Sequence, residues 1–250
     1  ITQAVSCQAK ALEYSEEAVR HGGELTVHIK VDTGMSRLGW LCDEGHRTEA
    51  ADAIAAVCAL PGLEVEGIYT HFANADGDEA YTMGQFTRFL ELLSELEGRG
   101  ITFPIRHCAA SAAVLKYPCT HLDMVRPGVA LYGHYPDPSC EGLDGVGLRP
   151  VMALKTRVAS VKAVPAGTPV SYGCTHVLER DAELAALTVG YADGLPRLCS
   201  DRLEVLIRGQ RAPIVGRVCM DMCMADATGL GAAPGDEVEL FGEHLPVEDA

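Results

Sequence analysis

The sequence predicts an α/β fold: a partial (β/α)8 TIM-type barrel over residues 1–140, followed by an all-β domain over residues 141–250 that is truncated at its C-terminus. Three observations predict it. Through the first half, strand-like alternation and helix-like periodicity take turns with short connections, the pattern of parallel strands with helices outside them. From about 136 to 147 the pattern dissolves into Pro, Gly, Asp and Ser, the composition of a boundary. Beyond it only strand-like runs follow, with turns at Ala166-Gly167 and Arg208-Gly209.

Taken in order, residues 1–5 read as the end of a strand. A helix over 6–21 follows, with Ser6 as its N-cap and Gly22-Gly23 as its stop. The next strand alternates strictly: Leu25, Val27, Ile29 and Val31 face one way, and Thr26, His28, Lys30 and Asp32 the other. It breaks at Thr33-Gly34 and leads to Arg37. A helix near 44–60 ends at Pro61-Gly62, and 63–72 reads as a strand. The helix over 79–97 places Phe86, Phe89, Leu90, Leu93 and Leu96 on one face. A strand over 103–108, a short helix from Ser111 and a strand over 123–126 complete the first half. In the second half 151–164, 168–172, 184–191, 203–207, 213–226 and 237–241 read as strands.

The charged face of the Lys30 strand is the first functional signal. Burying ions costs several kcal/mol each unless they are paired. Such a strand is therefore either a solvated surface strand or a barrel strand whose charges line a polar interior, with Arg37 at the mouth to meet an anion. The recurrence of polar residues at strand ends favours the barrel. His71 ends the second strand, His107 the third with Ser111 just after it, and Arg126 the fourth, followed by Gly128-Val129. In a parallel barrel these ends share the face where sites are built. A Ser at a helix start and a backbone turn both offer donors to a phosphate.

Composition narrows the partners. A formal charge of −15 over 250 residues argues against nucleic acid and against anionic membrane surfaces. No long uncharged apolar run is present, so no membrane-spanning helix is expected. Ten cysteines are scattered, with only Cys219 and Cys223 close together; zinc is not expected, and a reducing, cytoplasmic setting is. The chain starts with Ile1 rather than Met and stops without a closing element, so a fragment is expected.

Seven motifs resemble the alanine racemase family, the fold-type III pyridoxal-phosphate enzymes, and occur in that family's order over nearly the whole chain. They are His28-to-Gly39, Thr70-His71-Phe72-Ala73-Asn74-Ala75-Asp76, His107-Cys108-Ala109-Ala110-Ser111-Ala112-Ala113 and Arg126-Pro127-Gly128-Val129-Ala130-Leu131-Tyr132-Gly133. The others are Val170-Ser171-Tyr172-Gly173, Val189-Gly190-Tyr191-Ala192-Asp193-Gly194 and Gly216-Arg217-Val218-Cys219-Met220-Asp221.

The resemblance implies roles. Arg126 would bond the pyridine nitrogen of pyridoxal 5'-phosphate, buttressed by His107. Ser111 with the backbone of Gly128 and Val129 would hold the phosphate. Tyr172 would be one of two opposed bases, with His71 leading back to Arg126. Arg37 and the Met220 backbone would take the substrate carboxylate. Lys30 would steady Arg37 in carbamylated form or else pair with Asp32, and Tyr191 would line the mouth. Tyr172 and Met220 would serve a partner subunit in a head-to-tail homodimer.

The implied activity is interconversion of L- and D-alanine for peptidoglycan. None of the five lysines (Lys10, Lys30, Lys116, Lys155, Lys162) sits in the family's cofactor-lysine motif, so this stretch alone is expected to be inactive. Ala110 stands where many members have Asn. A serine racemase domain of the vancomycin-resistance type shares the motifs. An amino-acid decarboxylase of this fold would place an acid at the ring nitrogen, which Arg126 contradicts. A non-catalytic pyridoxal-phosphate barrel would lack the β-domain that carries Tyr172.

Overall fold

The computed structural model describes residues 1–249 and divides the chain into two units, Ile1–Arg149 and Pro150–Ala250. In the first, β1 (Gln3–Val5), β2 (Leu25–Asp32), β4 (Leu63–Tyr69) and β5 (Ile105–His107) form a parallel sheet in that order, and the two-residue β3 (Trp40–Leu41) pairs with the end of β2. Helices α1 (Gln8–Arg20), α2 (Arg47–Cys58) and α3 (Glu79–Gly98) connect them, and the short α4 (Ser111–Lys116) follows β5. Val27, Ile29 and Val31 are fully buried in one core with Ala51, Ile54 and Val57 of α2 and Phe89, Leu92 and Leu96 of α3. The opposite face of β2 is polar and is buried too.

Several element ends differ from the sequence reading for identifiable reasons. Cys7, not Ser6, is the N-cap of α1, and no side chain caps it. The buried stripe of α3 is Thr82, Gln85, Phe89, Leu92 and Leu96, spaced three and four apart; Leu90 is one step off that stripe and is exposed. No strand forms over 123–126. The segment runs beside β5 through Asp123 N–H to Arg106 O and Arg126 N–H to Ala109 O, with a single Ala110–Arg126 bridge. Pro127 brings no N–H to extend it. The Pro/Gly-rich stretch is tied to the first unit's own chain: the Tyr135 hydroxyl donates to Val146 O and accepts from Leu148 N–H.

The second unit is all β apart from short 3-10 turns. Strands β6 (Leu154–Val164), β9 (Ala182–Leu187), β10 (Glu204–Ile207), β11 (Gln210–Pro213), β12 (Cys223–Asp226) and β13 (Glu237–Phe241) form an antiparallel sheet in the order β11-β10-β13-β6-β9-β12. A small hairpin pairs β7 (Pro169–Val170) with β8 (His176–Val177). The strand expected over 213–226 is interrupted, because Gly216 (φ 77°) turns the chain out of the sheet until β12. The strand expected over 184–191 starts earlier and ends at Leu187. Both interruptions create loops used below.

All ten cysteines are free. Burial pushes the thiols of Cys108 and Cys223 up to about 12 and those of Cys42 and Cys58 to about 11, so they behave as inert apolar groups. No helix of the described residues is long and apolar enough to cross a membrane, and no group of three or more metal-ligating side chains occurs among them.

Candidate functional site

Strand β2 delivers its polar face to the end of the sheet. Its last residue, Asp32, is committed to the turn: Oδ1 accepts the N–H groups of Gly34, Met35 and Ser36 at 3.0, 2.9 and 3.0 Å. The expected alternative of a Lys30–Asp32 pair is therefore not formed. Lys30 is buried, donates to Val31 O at 2.7 Å and lies 5.3 Å from the centre of the Tyr69 ring. Burial, helped by the charges of Arg126 and Arg37 and opposed by Asp32, lowers its pKa to about 8. Arg37 follows the turn, exposed, and makes no hydrogen bond or ion pair among the described residues.

Arg126 is the hub of the strand ends. Its guanidinium lies 5.1 Å from the Tyr69 ring centre, and Tyr69 in turn stacks on His107 at 4.8 Å with 4° between planes. Nη2 donates to Thr70 O (2.9 Å) and His71 Nδ1 (3.1 Å); Nη1 donates to His107 Nδ1. Nε–H is engaged by nothing among the described residues. Burial and the Arg126 charge hold His71 at about 4 and His107 at about 3, so both rings are neutral at ordinary pH.

The donor order behind Arg126 is fixed. Arginine only donates, so His107 accepts at Nδ1 and carries its proton on Nε2. That proton goes to His28 Nδ1 (2.8 Å), and His28 Nε2–H goes to Glu66 Oε2 (2.9 Å). A register shift in the β2–β4 pairing skips Glu66, setting His28 opposite Gly67. Gly67 is required there, because a Cβ would sit 2.8 Å from the His28 ring.

In front of Arg126 lies a cavity of about 430 Å³. His71, Ser111, Arg126, Gly128 and Val129 all line it, together with Met35 and Asp76. The Ser111 hydroxyl oxygen accepts Gly128 N–H (2.8 Å) and Ala130 N–H (3.2 Å), which brings the Gly128-Val129 turn against it. The Val129 N–H is left without an acceptor among the described residues. The donor set is one for a flat ring with an acceptor nitrogen at Arg126 and an oxyanion at the Ser111–Val129 end, so the residues fit a pyridoxal phosphate.

In the second unit, three loops interlock through the Ser171 hydroxyl and backbone hydrogen bonds. Ser171 sits at φ 62°, ψ −173°, a region that almost only glycine occupies, and its hydroxyl donates to Arg217 O at 2.6 Å. Tyr191 N–H and Ala192 N–H donate to Cys219 O (3.0 Å) and Met220 O (2.8 Å). Gly190 must be glycine, because a Cβ would meet those two carbonyl oxygens at 2.4 Å. The result is a fixed platform that exposes Tyr172, Tyr191 and Met220, with the Met220 N–H undonated among the described residues.

Of the site residues named from the sequence, His71, Ser111, Arg126, Gly128 and Val129 line the cavity, His107 bonds Arg126, Lys30 lies against Tyr69, Arg37 is exposed in the loop after β2 and outside the cavity lining, and Tyr172, Tyr191 and Met220 lie on the platform. Sequence reasoning missed Tyr69, Glu66 and Gln85. Tyr69 reads as an ordinary strand aromatic. Glu66 has the wrong parity until the register shift is known. Gln85 was hidden in a helix read for its apolar residues alone.

Residues 1–136 match the family model described as alanine racemase, N-terminal domain, and residues 151–250 the one for the C-terminal domain. A curated alanine racemase of Desulforamulus reducens is 52% identical over 231 residues, covering 91% of this chain and 61% of its own length. One from Desulfovibrio desulfuricans is 46% identical over 252 residues, covering all of this chain and 66% of its own. Among solved structures, the alanine racemase of Clostridium difficile 630 superposes with a TM-score of 0.89 at 36% identity, over 97% of this chain and 62% of that one. The alanine racemase from Bacillus anthracis with bound L-Ala-P gives 0.89 at 33% identity, over 99% and 64%. The parallel sheet is thus an arc of a TIM-type barrel, and the chain spans about three-fifths of the length of the curated relatives it matches.

Proposed function

Because this chain belongs to the alanine racemase family, we propose that the complete protein interconverts L- and D-alanine, using pyridoxal phosphate and acting as a head-to-tail homodimer. The observation that carries the reading is Arg126, which lines the cavity with both terminal nitrogens committed to His107, His71 and Thr70 and its Nε–H engaged by none of the described residues. A guanidinium keeps its proton in a protein. A ring nitrogen bonded to it therefore stays unprotonated. Bound pyridoxal phosphate supplies an electron sink that makes an amino acid's α-proton removable, and an unprotonated ring makes that sink modest. A modest sink suits a reaction that must return the proton rather than proceed to transamination.

His107 holds the guanidinium in place. Ser111, Gly128 and Val129 hold the phosphate end. Arg37 of one protomer and the Met220 N–H of its partner hold the substrate carboxylate, and Lys30 lends Arg37 support. Tyr172 takes the α-proton of L-alanine and returns it in the reverse direction. Its hydrogen-bond partner is His71 of the other protomer, whose Nδ1 accepts from Arg126 and whose low basicity keeps that ring from trapping the proton. Tyr191 narrows the approach.

The test is Tyr172→Phe in the full-length enzyme. Removing a general base costs ~10²–10⁴-fold, so L-to-D turnover falls by that range while cofactor absorbance is retained. An unchanged rate, with an unchanged α-deuterium effect, removes Tyr172 from the mechanism.

A further inference from the structure

Helix α3 buries an amide where an apolar side chain would be cheaper. Gln85 is 0% exposed, and a buried amide is costly unless its hydrogen bonds are made. Its partners lie outside its own helix. Oε1 accepts Ala73 N–H at 2.8 Å; Nε2 donates to His71 O at 3.3 Å and Thr33 Oγ1 at 3.2 Å. The amide orientation is forced, because a backbone N–H only donates and a carbonyl only accepts. The hydroxyl order is forced too. Thr70 Oγ1 donates to Val31 O (3.1 Å), so Thr33 gives its proton to Thr70 Oγ1 (2.7 Å) and offers a lone pair to Gln85.

Both loops that Gln85 joins have other anchors: beside His71, Thr70 N–H donates to His107 O (3.2 Å), Arg126 Nη2 donates to Thr70 O (2.9 Å) and Lys116 Nζ donates to Asp76 O (2.7 Å). The Thr33 loop has further anchors: the three amides on Asp32, the Tyr81 hydroxyl on Gly34 O (2.6 Å) and Arg88 Nη1 on Thr33 O (3.0 Å). The His71 carbonyl and the Ala73 N–H have only Gln85 among the described residues.

We propose that Gln85 is a positioning residue for the racemase reaction, fixing the backbone immediately after His71 through His71 O and Ala73 N–H, and so the direction in which its imidazole meets Arg126 and the cavity. The proposal rests on the reading above that His71 serves proton transfer. Because the loop leading to Arg37 keeps its own anchors, losing Gln85 falls on turnover and not on substrate affinity.

The test compares Gln85→Met with Phe89→Leu, a core substitution on the same helix, in the full-length enzyme. Methionine matches the volume and helix propensity. A displacement of about 1 Å costs up to ~10²-fold. Gln85→Met is therefore expected to lower kcat ~10–100-fold with KM for L-alanine within about threefold. In the cofactor-free protein, the His71 ring, followed by NMR, then titrates above its present value of about 4 as the loop loosens and water reaches it. Phe89→Leu lowers Tm and moves neither quantity. If Gln85→Met does not accumulate as folded protein, Gln85→Leu, which also loses the acceptor and both donors without adding a charge, is read the same way.

An unmoved His71 titration overturns the proposal, as does a kcat loss that Phe89→Leu reproduces at equal Tm. His71→Asn, measured alongside, tests the underlying reading separately. If it leaves kcat intact, the proton-transfer role of His71 fails while the titration still judges the positioning.

Discussion

His107 makes a quantitative prediction about acid. The ring is 3% exposed, and its pKa is held at about 3 by burial first and then by Arg126, His28 and Lys30. In the unfolded chain a histidine binds its proton near ~6.5. Below that pH the unfolded state takes up a proton that the folded state refuses until about pH 3. Stability is therefore lost as pH falls through this window, and no further loss from this group occurs below it. Each pH unit is worth about 1.4 kcal/mol, so by roughly pH 5 the loss from His107 alone is about 2 kcal/mol.

The perturbation is His107→Asn, whose side-chain oxygen replaces the acceptor for Arg126 but does not titrate. Urea unfolding, read from Trp40 (the chain's single tryptophan, paired with Val31 at the end of β2), gives both stabilities near pH 7 and near pH 5. The variant is the weaker protein near pH 7, and its deficit shrinks by about 2 kcal/mol on acidification. Parallel loss in the two proteins would refute the reasoning, since His107 would then titrate alike folded and unfolded.

Two further outcomes follow from the geometry. Gly190→Ala forces a methyl onto the carbonyl oxygens of Cys219 and Met220; overpacking against backbone costs about 1–3 kcal/mol or more, so Tm falls and L-to-D turnover falls with it, whereas a variant of unchanged Tm would show that the loops are not locked together. Arg126→Glu in the full-length enzyme lets an acidic group meet the ring nitrogen and favours its protonation; pyruvate release from alanine is expected to rise, and its absence in protein that still binds cofactor would place Arg126 away from the ring.

The sequence carried most of the first unit's logic because alternation is a two-fold signal that burial cannot blur. Val27, Ile29 and Val31 went to the core and His28, Lys30 and Asp32 to the other face, as their spacing required. Tertiary events that leave no local trace were illegible. The register shift that presents Glu66 to His28 depends on which strand lies alongside. The capture of Asp32 by three amides depends on how the turn closes, and it left Lys30 without the partner that proximity in sequence suggested. The segment 123–126 has strand composition but only a bridge of strand pairing. In the second unit, the strand positions were readable and their interruptions were not, because Gly216 and the strained Ser171 serve the contact between loops and not the sheet.

The chain Arg126, His107, His28, Glu66 is a one-way street. Its first member can only give and its last, as a carboxylate, can only receive, so no imidazole between them can turn its tautomer without breaking a bond on both sides. Two ring histidines that would elsewhere be interchangeable are thereby assigned one proton each, on one named nitrogen each. The consequence reaches past each contact: a substitution at either terminus that removes its donor or acceptor frees the tautomer of the ring beyond its own neighbour as well.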